Sequence, residues 1–137
     1  MAVQLSETVR NARLDAFETA IGASAVLKIR TGSPPASIAD GDSGDVLATI
    51  ALPSDWMAAA SGGSKAKAGT WQDSSADDDG TAAHFRIYAS DGTTPHMQGA
   101  VTIGGGGGDM TVDNTSFATG QNFTVTSFTL TDANAPP

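Results

Sequence analysis

The sequence contains no cysteine and no long hydrophobic run. Without cysteine among its 137 residues, neither disulfide bonds nor thiolate metal sites stabilise the fold, so stability depends on packing and on partners. No apolar run approaches the ~18 residues that a membrane span needs, and the N-terminus lacks a basic stretch followed by an apolar one. We therefore expect a protein made in the cytoplasm, with no visible export signal and no membrane partner.

Basic residues are also few. Seven Lys and Arg residues stand against fifteen Asp and Glu residues, which gives a formal net charge of −8. A surface that follows the phosphates of a nucleic acid needs clustered cations, so we expect no nucleic-acid partner. The acidity is compatible with a cationic partner surface, with divalent ions or with solubility alone.

Residues typical of turns are abundant. Sixteen glycines and many Ser, Thr and Asp residues separate short apolar runs, which is typical of an all-β fold. Apolar and polar residues alternate with a period of two at 25–30, 82–90 and 122–131, which predicts strands there. The length suits a single domain. The sequence therefore predicts a mainly β protein, with an antiparallel β-sandwich or jelly-roll-like domain at residues 23–132.

The last predicted strand changes phase along its length. Phe123 and Val125 belong to one phase of the alternation, whereas Phe128 and Leu130 belong to the other. A β-bulge near Ser127, or a strand that crosses between two sheets, would account for the change.

A short α-helix precedes the β domain. Apolar residues recur every three or four positions over residues 5–21, with Ser6 placed to cap the first turn and Gly22 to end the last. Because an isolated helix of this length is marginal, its apolar stripe should pack on the domain or on a neighbouring subunit. We interpret residues 1–22 as a contact arm and residues 133–137 as a C-terminal tail. The expected interface residues are Leu5, Val9, Ala12, Ala16, Phe17, Ile21, Trp56 and Trp71.

Three features resemble chemical sites, but each has a simpler interpretation. The glycine run at 104–108 lacks the Lys and Ser or Thr of a phosphate loop, and it predicts a flexible hairpin loop. The acidic segments 40–45 and 73–79 offer oxygens for calcium without the spacing of a calcium loop, so solvated turns are the alternative. His84 and His96 would bind a metal only if their strands paired and a third ligand joined them.

Enzyme activity is not expected either. The sequence has no cysteine nucleophile and no GxSxG elbow. We expect no catalytic residues, no cofactor and no metal site.

Several segments carry a resemblance to a known family. The opening MAVQLSETVRNARLDAFETAIGASAVLKIRTG and the later LPSDWM, GTWQDSSAD, GDMTVDN and FTVTSFTLTDAN resemble small proteins encoded among the virion genes of tailed phages and prophages. The resemblance runs nearly end to end and brings no active-site motif. It implies a non-enzymatic virion protein, either a capsid decoration or cement protein that binds between subunits or a collar, neck or tail-associated subunit. It also implies a homo-oligomer that is made in the host cytoplasm and binds major capsid, neck or tail subunits.

A function of another class is a glycan-binding module for receptor recognition, as in some phage fibres. Such a module needs exposed aromatic side chains near its loops, and Trp71 and Tyr88 are the candidates. Their exposure therefore separates the two interpretations.

Overall fold

A computed structural model describes residues 3–132 of the chain. Its elements are α1 (Glu7–Ile21), β1 (Val26–Arg30), β2 (Val46–Ala51), β3 (Ser64–Ala66), β4 (Gln72–Asp73), β5 (Gly80–Thr81), β6 (His84–Tyr88), β7 (Pro95–Ile103), β8 (Met110–Val112), β9 (Ser116–Phe117) and β10 (Phe123–Thr131). The protein is mainly β with one N-terminal helix, as the sequence predicts. No helix within this range is long and apolar enough to cross a membrane.

One sheet of eight strands forms the body of the domain. Its spatial order is β2-β1-β6-β7-β8-β10-β3, with β4 also paired to β10, while β5 and β9 form a separate pair. All pairings are antiparallel except that of β7 with β8, which is parallel. The sheet curls until Phe85 of β6 meets Phe128 of β10 edge to face, with ring centroids 5.5 Å apart. The two halves therefore enclose one core, as in a β-sandwich.

Aromatic side chains form the centre of this core. The ring of Trp56 lies 6.1 Å from that of Trp71, which in turn lies 5.6 Å from Phe128. Both indoles are fully buried, and each donates its N–H to a carbonyl, Trp56 to Gly22 and Trp71 to Ala68, both at 3.0 Å. Because the buried N–H groups are paired, the indoles add apolar contact area without an unsatisfied donor.

The phase change in the last strand is a β-bulge, as predicted. β10 pairs with β8 through Val125 opposite Val112 and Ser127 opposite Thr111, so Thr126 is the extra residue. Because of the bulge, Thr126 and Ser127 are both exposed and Phe128 returns to the core.

The glycine run does not form the predicted hairpin loop. It joins the parallel strands β7 and β8, in which Val101 lies opposite Met110. Parallel strands are usually joined by a dozen or more residues, whereas residues 104–109 return the chain over a much shorter path. A Cβ at Gly106 would lie 2.7 Å from Thr102 Cβ, and one at Gly108 would lie 2.8 Å from Thr102 Oγ1. Glycine is therefore needed where the chain folds back against β7.

Candidate interaction surface

Helix α1 packs on the domain through its polar side. Leu14 and Ile21 are buried, and Ser6 caps the first turn by accepting the N–H of Val9 at 3.3 Å. Four further side chains on the same side accept backbone N–H groups of the segment 57–63, which we call the strap. These bonds are Glu18 to Met57 N at 2.9 Å, Asp15 to Ala60 N at 2.9 Å, Glu7 to Gly62 N at 3.1 Å and Asn11 to Gly63 N at 2.9 Å.

A buried lysine completes this contact. Lys65 of β3 is 2 % exposed, and its Nζ lies 2.7 Å from Asp15, 3.3 Å from Glu18 and 2.9 Å from the carbonyl of Ala58. Burial opposes the charged ammonium, but the hydrogen bonds to both carboxylates outweigh it and raise the pKa of Lys65. The bond from Lys65, together with the backbone N–H of Ala60, lowers the pKa of Asp15. Charge and hydrogen bonding therefore fix the side of α1 that faces the domain.

The apolar side of α1 consequently faces solvent. Val9 and Phe17 are 45 % and 46 % exposed, and Ala12 and Ala16 are exposed as well. The three carboxylates of α1 all bond to the strap, so this apolar side carries Arg13 as its charged neighbour and no acid. In a chain with a net charge of −8, an apolar surface whose charged neighbour on the helix is basic differs from the acidic average of the protein. We call Val9, Ala12, Ala16 and Phe17 the helix face.

A groove adjoins the helix face where α1 passes the end of β10. It has a volume of about 560 Å³ and is lined by Leu14, Ala16 and Phe17 of α1 and by Thr131. Arg13 closes one side of it through an ion pair with Asp132, Nε to Oδ2 at 3.1 Å. Apolar and polar atoms thus meet along one edge of the helix face.

The structure divides the predicted interface residues into two groups. Val9, Ala12, Ala16 and Phe17 lie at the surface, and Leu5 is half-buried. Ile21, Trp56 and Trp71 are buried in the chain's own core, so their assignment to an interface needs correction. The sequence prediction placed them there because an apolar residue in a core and one at an interface have the same hydrophobicity.

A second polar cluster lies on the outer side of β1 and β6, under the loop 31–45. Asp42 of this loop accepts hydrogen bonds from Arg30 Nη2 at 2.9 Å, Arg86 Nη1 at 3.0 Å and the Tyr88 hydroxyl at 2.7 Å. Burial disfavours the carboxylate, but the Tyr88 hydrogen bond and the two arginines together lower the pKa of Asp42. The loop is therefore held on the sheet, and both faces of β6 are buried.

His84 lies beside this cluster. It is opposite Arg30 in the β1–β6 ladder, fully buried, and its Nδ1 lies 2.6 Å from the carbonyl of Gly32. Because a carbonyl only accepts, Nδ1 carries the proton. Burial, reinforced by the charges of Arg30 and Arg86, lowers the pKa of His84. The imidazole is therefore neutral in the folded protein at pH 7.

The candidate metal ligands do not converge. His84 lies opposite Ala100, whereas His96 is exposed near the other end of β7. No three His, Asp or Glu side chains among residues 3–132 approach closely enough to hold a metal ion.

The acidic turn 73–79 covers the outer edge of β2. The carboxylate of Asp73 accepts the backbone N–H of Thr49 at 3.3 Å, and that of Asp77 accepts the Thr49 hydroxyl at 3.0 Å. The backbone N–H of Asp77 donates to the carbonyl of Leu47 at 2.7 Å. These bonds occupy polar groups that an edge strand would otherwise present to another chain.

The aromatic residues proposed for glycan binding are buried. Trp71 and Tyr88 are both 0 % exposed. Phe17 is the only aromatic side chain exposed by more than a third in the part of the chain that is described, and it belongs to the helix face. The condition set for a glycan-binding module is therefore not met by these two residues.

No protein-family model matches this chain, and neither a curated protein nor a solved structure matches it.

Proposed function

We propose that the chain is a non-enzymatic structural subunit of a tailed-phage virion, a capsid decoration protein that binds between subunits of the particle. The observation that carries the proposal is the helix face, which is apolar and free of acid in a strongly acidic protein. The resemblance of the sequence to small phage virion proteins supplies the kind of partner.

The exposure of the helix face supports a role in assembly. A contiguous apolar surface on a small soluble domain marks a contact with another molecule more often than chance exposure. Phe17 provides a large aromatic anchor, while Ala12 and Ala16 allow another backbone to approach the helix closely. The proposal therefore assigns the binding energy to Val9 and Phe17 and close packing to the two alanines.

The distribution of charge supports the same surface. The carboxylates of α1 are turned to the strap, and Asp132, which lines the groove beside the helix face, is paired with Arg13. A carboxylate in the centre of an interface would have to lose its hydration, which is costly without a partner charge. An acid introduced there should accordingly oppose binding.

The experiment compares Ala16→Glu with a matched control, Ala118→Glu, on particles that lack the decoration protein. Ala118 is exposed in the turn after β9, far along the chain from α1. Cosedimentation should show the wild-type protein and Ala118→Glu adding in a fixed ratio to the particle, with Ala16→Glu bound at least about tenfold more weakly. Light scattering of each protein alone gives its oligomeric mass.

Each result has a definite meaning. Wild-type protein that does not bind to capsids would overturn the decoration role, and a copy number matching one portal ring would move the protein to the collar or neck. Binding of Ala16→Glu equal to that of the control would overturn the helix face as the contact surface.

A further inference from the structure

The strand β8 is too short to fill its place in the sheet. It pairs with residues 101–103 of β7 on one side and with residues 125–128 of β10 on the other. The preceding part of β7, residues 95–100, and the end of β10, residues 129–131, extend past it. No strand within residues 3–132 lies between these two segments. We call this space the gap.

Backbone polar groups face the gap from β7. Val101 donates its N–H to Ala83 on the β6 side, so the alternation of the strand turns the peptide groups of Gln98 and Ala100 to the opposite side. The carbonyl of Ala100 lies in the ladder that pairs Val101 with Met110, so Gln98 is the residue whose N–H and C=O both face the gap. The N–H of Ala100 is accepted by the carboxylate of Asp109 at 2.9 Å. The backbone N–H of Gln98 has no partner among the described residues.

Backbone groups also face the gap from β10. The carbonyl of Phe128 accepts the N–H of Lys67 on the β3 side, at 2.9 Å. The same alternation turns the peptide groups of Thr129 and Thr131 away from β3. The N–H of Thr129 points to Asp109 at the end of the ladder that pairs Phe128 with Met110, so the C=O of Thr129 and the N–H and C=O of Thr131 border the gap. Two rows of peptide groups thus border the same space, as two strands do around a third.

The floor of the gap is apolar. It forms a cavity of about 400 Å³ above the buried rings of Phe85 and Phe128. Met97 and Leu130 line it from opposite sides, and both are hydrophobic residues that pack against the core while remaining only partly buried. Residues 3–132 therefore cover the core incompletely at this cavity, where an apolar side chain would add packing contacts.

The charge at the gap indicates the chemistry of its occupant. Among the described residues that line the cavity, Asp109 is the charged one, and the chain as a whole has a net charge of −8. A segment with apolar side chains toward the floor and a Lys or Arg near Asp109 complements both features. Backbone groups on both borders require that this segment be extended.

We propose that the gap accepts an extended, basic segment of another polypeptide, which adds a strand of about five residues between β7 and β10. This inference stands apart from the helix face and from the proposed virion role, because it depends only on the backbone and side chains at the gap. Thr131 lines both this cavity and the groove beside α1, so the two surfaces are neighbours.

The test uses a synthetic peptide of about eight residues, with valine at alternate positions and lysine between them. Two control peptides have the same composition, one with the valines grouped together and one with methyl groups on alternate backbone nitrogens. Amide hydrogen exchange and NMR shifts should locate the alternating peptide at Gln98 and Thr131, whose amides face the gap and should exchange fast in the free protein. Both controls should fail to bind.

Variants of the full chain test the backbone contact. Thr131→Pro removes a gap-facing N–H, and Ala51→Pro places a proline at the exposed last residue of β2 as the matched control. Circular dichroism verifies that both variants fold. Thr131→Pro should weaken the affinity for the alternating peptide about fivefold or more, and Ala51→Pro should leave it unchanged.

The outcomes distinguish this inference from the proposed function. No binding of the alternating peptide, equal binding of the methylated peptide, or protection at other amides would each overturn the added strand. None of these results bears on whether Ala16→Glu weakens binding to particles. Conversely, a protein that ignores particles and still binds the alternating peptide retains the gap as a site and loses only the virion role.

Discussion

At the scale of single residues, buried charge decides how the long loop 31–45 is held. Asp42 reaches from this loop to Arg30 and Arg86, which are 6 % and 1 % exposed. Buried guanidinium groups require acceptors, and one carboxylate serves both of them. The loop therefore depends on a residue that the sequence presents as one of several equivalent turn aspartates.

We expect Asp42→Asn to destabilise the protein by about 2 kcal/mol. Removing one partner of a buried ion pair typically costs about 3–5 kcal/mol, and the 39 % exposure of the Asp42 side chain reduces the effect. Urea unfolding measures the change, with Asp45→Asn in the same loop as the matched control. Equal stability of the two variants would show that Asp42 does not hold the arginines.

His84 should make the protein less stable in acid. The folded protein keeps this imidazole neutral because its pKa is lowered, whereas the unfolded chain takes up a proton near the ordinary value of 6.5. The free energy of unfolding should therefore be constant above that pH and fall below it, by at most about 1.4 kcal/mol per pH unit. Denaturation between pH 7 and 5 measures this. His84→Gln should remove the slope, and His96→Gln should retain it.

At the scale of elements, the helix shows most clearly where sequence patterns are sufficient. Its limits, the Ser6 cap and its end at Gly22 follow from local signals, and the structure confirms them. Its orientation does not, because the apolar stripe predicts packing on the domain or on a neighbouring subunit and does not distinguish the two. The acceptors on the polar side instead pair with backbone N–H groups of the strap, about fifty residues away, which no periodicity reveals.

Neighbouring substitutions in α1 should accordingly have opposite consequences. Asn11→Leu leaves the buried N–H of Gly63 without an acceptor and should lower the free energy of unfolding by about 1–3 kcal/mol. Ala12→Leu adds an exposed side chain and should change it by less than about 0.5 kcal/mol. Thermal or urea unfolding of both variants provides the comparison. Stabilisation by Asn11→Leu would contradict the polar packing of α1.

The glycines in the connection between β7 and β8 also differ in how much room a side chain would have. A Cβ at Gly106 would lie 2.7 Å from Thr102 Cβ, whereas one at Gly104 meets no atom within 4 Å. Gly106→Ala should destabilise the protein by about 1–3 kcal/mol through overpacking. Gly104→Ala should be neutral or slightly stabilising, because it restricts the unfolded chain. Equal effects in urea unfolding would indicate a loose loop in place of a tight return.

The alternation of apolar and polar residues predicts the strands and the bulge, because the polarity of each residue indicates which side of the sheet it faces. Phe128 and Leu130 indicate that the phase changes after Val125. The parallel pairing of β8, the buried outer face of β6 and the gap could not be predicted in this way. Each depends on which distant segment lies alongside, and the sequence of one chain does not specify that.

At the scale of the whole molecule, the peripheral segments are all tied to the sandwich by polar contacts. The strap bonds to α1, the loop 31–45 to the outer face of β6, and the turn 73–79 to the edge of β2. Opening α1 or the loop 31–45 alone would remove the acceptors of the buried Lys65 or Arg86. Independent opening of α1 is thereby disfavoured.

We therefore expect the helix and the core to unfold in one transition. Circular dichroism reports on α1, and fluorescence reports on Trp56 and Trp71, both of which lie in the core. Their urea unfolding curves should coincide in midpoint, as a two-state transition requires. Loss of helical signal before the change in fluorescence would show that α1 detaches while the sandwich remains folded.

The bonds between α1 and the strap also bear on how this sequence can change over evolutionary time. The acceptors on α1 bind backbone N–H groups, so they place no demand on the side chains of the strap. They do forbid proline at Met57, Ala60, Gly62 and Gly63, because proline has no N–H to donate. Random mutagenesis should tolerate most replacements at Ala59, which is exposed and lies between them. The hydrophobicity of the sequence does not indicate which positions of the strap exclude proline.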